Sequence, residues 1–110
     1  MNYFKVVPLG DKLENIELVV ILEVENLKDK EKFEKHLKKE GFKIVPEEEF
    51  VYTGISSTTT FSTKAYILEV FKKGLQKTEF DSCNMVFLLN ETPYPPYTYD
   101  KTTNDFEEVK

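Results

Sequence analysis

The stretch Ile16-Glu17-Leu18-Val19-Val20-Ile21-Leu22-Glu23-Val24 decides the fold. Its even positions are all apolar, and Val19 and Ile21 make the middle of the odd set apolar too. Alternation with period two marks a strand, because successive side chains leave it on opposite faces. A strand apolar on both sides at its centre is predicted to lie inside a sheet, covered on both faces. Helices are expected to supply one cover, and a second sheet or a partner chain the other.

Working outward, a helix follows this strand. Asn26 is a plausible N-cap with Asp29 in the first turn, and Phe33 and Leu37 lie four apart on one face. Gly41 reads as the left-handed residue that ends the helix, with Phe42 folding back over Leu37. Phe42–Val45 is predicted as a second strand stopped by Pro46, and Phe50–Ile55 as a third, hairpinned to it. A hydroxyl-rich loop leads into a second helix over Thr63–Lys73, with Ser62 as N-cap and Ile67, Phe71 and Leu75 facing inward. Gly74 reads as a second glycine stop, and Met85–Leu89 as the fourth strand.

The order β-α-β-β-α-β is the split βαβ pattern, so the expected fold is α+β. It is a ferredoxin-like sandwich with an antiparallel sheet and two helices on one face. A single domain over 1–110 is expected, with a core of about 16–90, an N-terminal arm through Pro8, Leu9 and Gly10, and a Tyr/Pro-rich C-terminal arm over 92–110. The expected core includes Val19, Ile21, Phe33, Leu37, Ile67, Phe71, Phe87 and Leu89.

Composition narrows the function classes. The 110 residues are 40% hydrophobic and 32% charged, with nine Phe and six Tyr, which is the balance of a folded domain rather than a disordered chain. No stretch approaches the roughly 20 apolar residues of a membrane helix. The start Met1-Asn2-Tyr3-Phe4-Lys5 lacks a signal-peptide layout, and one cysteine, Cys83, excludes an internal disulfide; the cytosol is the expected compartment. A net charge of −5 disfavours a nucleic-acid partner, although Lys28, Lys32, Lys35 and Lys39 form a basic stripe on the first helix. Glu31 and Glu34 precede Lys35 and Lys38 by four residues, so a solvated face with intrahelical pairs accounts for that stripe as well.

Three groups of residues are candidates for function. Glu23, near the end of the first strand, is a possible metal-binding or catalytic carboxylate, or else a solvated strand-end residue. Seven of the eight residues Ser56–Thr63 carry hydroxyls and feed the second helix. Ser62, Thr63 and Lys64 are therefore candidates to hold an anion through backbone N–H groups, against an ordinary solvated loop. In the segment Thr92–Asp100, prolines pre-order an extended path, so Tyr94, Pro95, Pro96, Tyr97 and Tyr99 are candidate interface residues on this chain, a second copy or another protein. His36 has no Ser or Cys at a recognisable spacing and is expected to be a partly buried helix residue. No cofactor fingerprint and no metal motif is present, so neither a cofactor nor a metal is expected.

The strings Val19-Val20-Ile21-Leu22-Glu23-Val24, Leu37-Lys38-Lys39-Glu40-Gly41-Phe42 and Phe50-Val51-Tyr52-Thr53-Gly54, within residues 16–90, resemble two families of small dimeric proteins. These are the VapD-like ribonucleases and the small ferredoxin-like subunit of the CRISPR adaptation complex. The resemblance implies a dimeric ferredoxin-like fold and, for Glu23, a metal-dependent nuclease role. Departures from the families are Glu23 where they place aspartate, Lys43 as the lone basic residue after the glycine, and both arms.

The resulting expectation is a homodimeric interaction or accessory module without catalysis of its own. A metal-dependent endoribonuclease and a small-anion-binding regulatory domain are the alternatives. An apolar sheet face left by helices on one side only is the ground for expecting self-association.

Overall fold

The computed structural model describes residues 15–109. The N-terminal arm expected through Pro8, Leu9 and Gly10 lies outside the described residues. In chain order the elements are β1 (Ile16–Glu25), α1 (Lys30–Lys39), β2 (Lys43–Ile44), β3 (Val51–Ser56), α2 (Thr60–Leu75), β4 (Ser82–Leu89), β5 (Thr92–Pro93), β6 (Tyr97–Asp100) and β7 (Asp105–Glu108). The protein is α+β, and the described residues form two helices and one open antiparallel sheet of seven strands. The path across the sheet is β2-β3-β1-β4-β6-β7, and β5 also pairs with β4.

Strand β1 is central, as its apolar run requires, and pairs with β3 on one side and β4 on the other. Its even residues Ile16, Leu18, Val20 and Leu22 are buried beneath the helices. They meet Phe33 and Leu37 of α1 and Ile67, Val70, Phe71 and Leu75 of α2 in one core. The ring of Phe71 lies 5.0 Å from Phe42, 5.8 Å from Tyr52 and 6.2 Å from Phe33, edge-on or tilted, as aromatic quadrupoles prefer. Burying each such side chain is worth about 1.5–3 kcal/mol.

The odd residues correct the sequence reading. Val19 is half-buried and Ile21 is 41% exposed, because both helices lie on the even side and no described residue covers the odd one. The other six expected core residues, Phe33, Leu37, Ile67, Phe71, Phe87 and Leu89, are buried.

Helix ends are set by local hydrogen bonds. Helix α1 is capped by Asp29, whose carboxylate accepts from Lys32 N at 3.0 Å, and not by Asn26. Asn26 sits at φ 54° and donates from its amide to Asp81. At the other end Gly41 is at φ 103°, Gly41 N donates to Lys38 O, and Phe42 N donates to Leu37 O, both at 3.0 Å. That is the Schellman pair of bonds expected from Gly41-Phe42. Helix α2 begins three residues before the sequence placed it, with Thr59 as cap, and runs through Gly74 to Leu75. Gly74 is therefore no stop; it is buried inside the helix, facing α1.

The C-terminal segment is not an arm but a continuation of the sheet. A two-residue turn, Asn90-Glu91, with both φ positive (50° and 69°), folds β5 back onto β4. Leu88 pairs with Pro93 and Met85 with Tyr97, so three steps along β4 match four along the tail. The extra residue is a bulge, the kind of site where prolines without an N–H fit a sheet. Strand β7 then pairs with β6, with Phe106 opposite Tyr99.

Candidate functional site

Three regions carry the sequence candidates, and a fourth emerges only from the fold. On the open sheet face, Glu23 is exposed and opposes Asn84, whose amide donates to its Oε1 at 3.3 Å. Among the described residues no group of three His, Cys, Asp or Glu is arranged to hold a metal ion. Around Glu23 on the same face run aliphatic residues in cross-strand register, Val51 beside Ile21 beside Val86, and Thr53 beside Val19 beside Leu88. Ile55 adds a 71% exposed side chain to this face.

At the start of α2 the earlier cap redistributes the candidate anion donors. Ser62 N donates to Thr59 Oγ1 at 3.1 Å, and Thr63 N to Thr59 O at 2.9 Å. The Thr63 side chain is buried, its hydroxyl 2.7 Å from both Ser56 Oγ and Thr59 O. The Lys64 ammonium rests over the Tyr94 ring, 5.0 Å from its centroid. Both backbone donors expected for an anion at Ser62 and Thr63 thus already have acceptors in the helix cap.

The tyrosines of the C-terminal segment are turned onto their own chain. Tyr94 and Tyr97 stack on Phe87 at 5.6 and 5.9 Å, and Tyr99 packs edge-on to Phe80 and Phe106 at 5.1 and 5.3 Å. Burial and the nearby Glu108 raise the Tyr97 phenol above its ordinary range. Pro95 and Pro96 remain exposed.

The fourth region is a cleft of about 570 Å3 where the end of α1, the edge of β3 and the first turns of α2 converge. Its walls include Glu40, Phe42, Gly54, Ile55, Ser62 and Tyr66. Tyr66 stacks parallel to Phe42, with ring centroids 6.2 Å apart and planes 12° apart. The Tyr66 hydroxyl donates to the Glu40 backbone carbonyl at 2.6 Å and also lies 3.2 Å from Glu40 Oε1. The β3 edge is open here for a topological reason. Val51 and Thr53 face β2, which stops at Lys43 because the chain turns into the Gly41 cap; among the described residues no strand lies beside Ile55, next in phase, on that side.

Ser56, Ser57, Thr58 and Ser62 of the hydroxyl run line this cleft, whereas Thr63 and Lys64, offered with Ser62 for an anion, do not. Glu40, Gly54 and Tyr66 carried no sequence signal, since they come from three elements at no diagnostic spacing. Buried side chains elsewhere are structural in character. Burial, then the Glu34 carboxylate accepting from its hydroxyl at 2.7 Å, holds the Tyr52 phenol protonated, and burial pushes the Cys83 thiol up to about 12.

No protein-family model matches the chain, and neither a curated protein nor a solved structure matches it.

Proposed function

We propose that the chain is a cytosolic homodimeric protein-interaction module, without catalysis of its own, built on a ferredoxin-like core with a C-terminal strand extension. The order β2-β3-β1-β4 supports the core assignment, because each helix connects two strands that flank a third.

The observation that carries the reading is the open face. The strands β3, β1 and β4 at ~4.8 Å spacing, over six residues at ~3.3 Å rise, present on the order of 300 Å2 in projection, to which the two residues of β2 add little. Val19, Ile21, Val51, Val86 and Leu88 make its centre aliphatic, while Glu17, Glu23 and Lys43 stand toward its rim. A patch of this extent falls within the roughly 300–600 Å2 of the largest patch on a typical monomer, and such patches are often functional. Strands β6 and β7 extend the same side with Thr98, Asp100, Asp105 and Glu107, an acidic margin to the aliphatic centre. A second copy is the occupant because a twofold axis matches the aliphatic centre to itself and leaves both charged rims in water.

Sedimentation at micromolar concentration tests this. A mass of twice 12.9 kDa is expected, falling to 12.9 kDa for Ile21→Lys with its circular dichroism unchanged. A wild-type chain that stays monomeric at high micromolar concentration overturns the reading. Incubation of the same sample with labelled RNA and Mg2+ is expected to give no cleavage; cleavage abolished by Glu23→Gln replaces this reading with a nuclease.

A further inference from the structure

Opposite charges stand at opposite corners of the open face. Register places Lys43 of β2 beside Thr53 and, one strand further, Val19; its side chain is exposed. Glu23 of β1 is also exposed, two strands across from Lys43 and four residues along. A strand spacing of ~4.8 Å and a rise of ~3.3 Å per residue put these two residues of one chain roughly 16 Å apart. Past Glu23 the face turns acidic, with Glu25, Asp100 and Glu107 on the same side through the pairs of β4, β6 and β7. Between the two corners lies the aliphatic patch, with Val19 and Ile21 at its centre.

In a face-to-face twofold dimer the axis lies in the plane between the sheets, so in projection each copy is the reflection of the other across that axis. For the aliphatic patch to cover itself, the axis has to pass between Val19 and Ile21. An axis along β1 then sets Glu17 and Glu23 each against its own counterpart. An axis across the strands sets Glu23, two residues past Ile21, against the partner's Glu17, two residues before Val19. The diagonal from the Lys43 corner to the acidic corner lays Asp100 near the partner's Asp100, and Glu25 near the partner's Glu107. The remaining diagonal runs from Val51 to Leu88. It exchanges Lys43 with Glu23 and nests Val19 among Ile21, Val86 and Leu88 of the other copy. Like charges set opposite each other cost affinity, whereas complementary ones fix register. Of the four directions, the Val51–Leu88 diagonal is the one that joins these opposite charges, and it crosses the strands of the two sheets at a steep angle, as in orthogonal sheet packing.

We propose that the homodimer, on whose existence this inference rests, is built about the Val51–Leu88 diagonal, with Lys43 of each copy paired to Glu23 of the other at the wet edge of the contact. The Asn84 amide, which donates to Glu23 Oε1, holds that carboxylate on the face. The two pairs set the orientation of the copies more than the strength of the dimer, because exposed ion pairs are individually weak.

Sedimentation equilibrium of two single variants and of their mixture tests the pairing. Lys43→Glu makes both contacts Glu against Glu, and Glu23→Lys makes both Lys against Lys, so each is expected to dimerise about tenfold more weakly than the wild type. Glu23→Lys moves the net charge of −5 toward neutrality, so general repulsion by itself would tighten that dimer instead. Mixing the two variants creates a heterodimer in which both contacts are Lys against Glu, and its affinity is expected to return to that of the wild type. Carbodiimide cross-linking of the wild-type dimer, which joins an amine to a carboxylate in contact with it, is expected to link Lys43 to Glu23. At roughly 16 Å within one chain, such a link has to come from two copies. Should either variant lose its fold, this cross-link decides. A wild-type chain that stays monomeric overturns the dimer and this arrangement together. A wild-type dimer whose affinity neither reversal changes, whose variants gain nothing on mixing, or whose cross-links join other residues overturns the arrangement alone.

Discussion

Gly74 of α2 lies directly against the ring of Phe33 of α1: a Cβ at position 74 would sit 3.1 Å from both Phe33 Cδ1 and Cε1. Phe33 is fully buried and also contacts Phe71 and Tyr52 at its edges, so it has little room to yield. Overpacking of this kind costs about 1–3 kcal/mol, and replacing a mid-helix glycine by alanine returns about 1 kcal/mol. Gly74→Ala is therefore expected to lose about 1 kcal/mol net, and Gly74→Val more, read from urea midpoints at constant m-value. A stabilised Gly74→Ala would show that the two helices separate more easily than this packing implies.

His36 sits at the same helix contact, with its ring Cδ2 3.2 Å from that Cβ position and its Nε2 buried with no hydrogen-bond partner among the described residues. Burial is the main cause that lowers its pKa below the ordinary 6.5. Lys77 and Lys39 add to this, while Glu40 and a backbone hydrogen bond at Val70 oppose it. The folded chain thus takes up this proton at lower pH than the unfolded chain does. Below the unfolded value the unfolded state holds more protons, so stability rises with pH in that window and is lost as pH falls through it. Urea midpoints are expected to drop between pH 7.5 and 5.5, a range above ordinary carboxylate titration. In His36→Leu that slope is expected to flatten.

The β4–β5 turn carries a residue in an unfavourable conformation. Glu91 is exposed at φ 69°, a region that costs a non-glycine residue roughly 1–2 kcal/mol. Two-residue hairpin turns with both φ positive favour glycine at the second position. Glu91→Gly is expected to raise stability by about 0.5–1 kcal/mol after the entropy of the more flexible unfolded chain is counted. Equilibrium denaturation checks it; a destabilised variant would mean the Glu91 side chain makes a contact that outweighs the strain.

What the sequence disclosed follows from how local each determinant is. The Gly41 stop was legible because a Schellman end is written in adjacent residues, a glycine followed by an apolar residue. The N-caps were harder: Asn26 and Asp29 are both capping types, and only the bond from Asn26 to Asp81, 55 residues away, leaves the cap to Asp29. In the same way Thr59 rather than Ser62 caps α2, because Thr63 is drawn into the core beside Ser56. Gly74 reads as a stop in sequence and as a contact in space, since its reason lies on another helix. The C-terminal strands were hidden by Pro93, Pro95 and Pro96, which argue against a ladder unless a bulge takes them. They were hidden also by β7, whose one buried residue, Phe106, makes no periodic signal. The cleft was illegible for the same reason as Gly74: Glu40, Gly54 and Tyr66 meet only after α1, β3 and α2 are assembled.

The two borders of the sheet differ in a way that directs how copies can meet. On one border β7 presents Asp105, Glu107 and Glu108 around a single buried Phe106, and a like strand drawn alongside would set carboxylate against carboxylate. On the other border β2 offers only two residues of ladder, which the chain enters just after the Gly41 turn that ends α1. Neither border is a good template for adding strands without limit, which is the route by which sheets grow into fibrils. Had the chain ended at β4, the eight-residue strand Ser82–Leu89 would itself be the border, with Met85, Phe87 and Leu89 along it. The final three strands thus act as a guard against polymerisation, and a version cut at Asn90 is expected to trade solubility for aggregates that bind amyloid dyes.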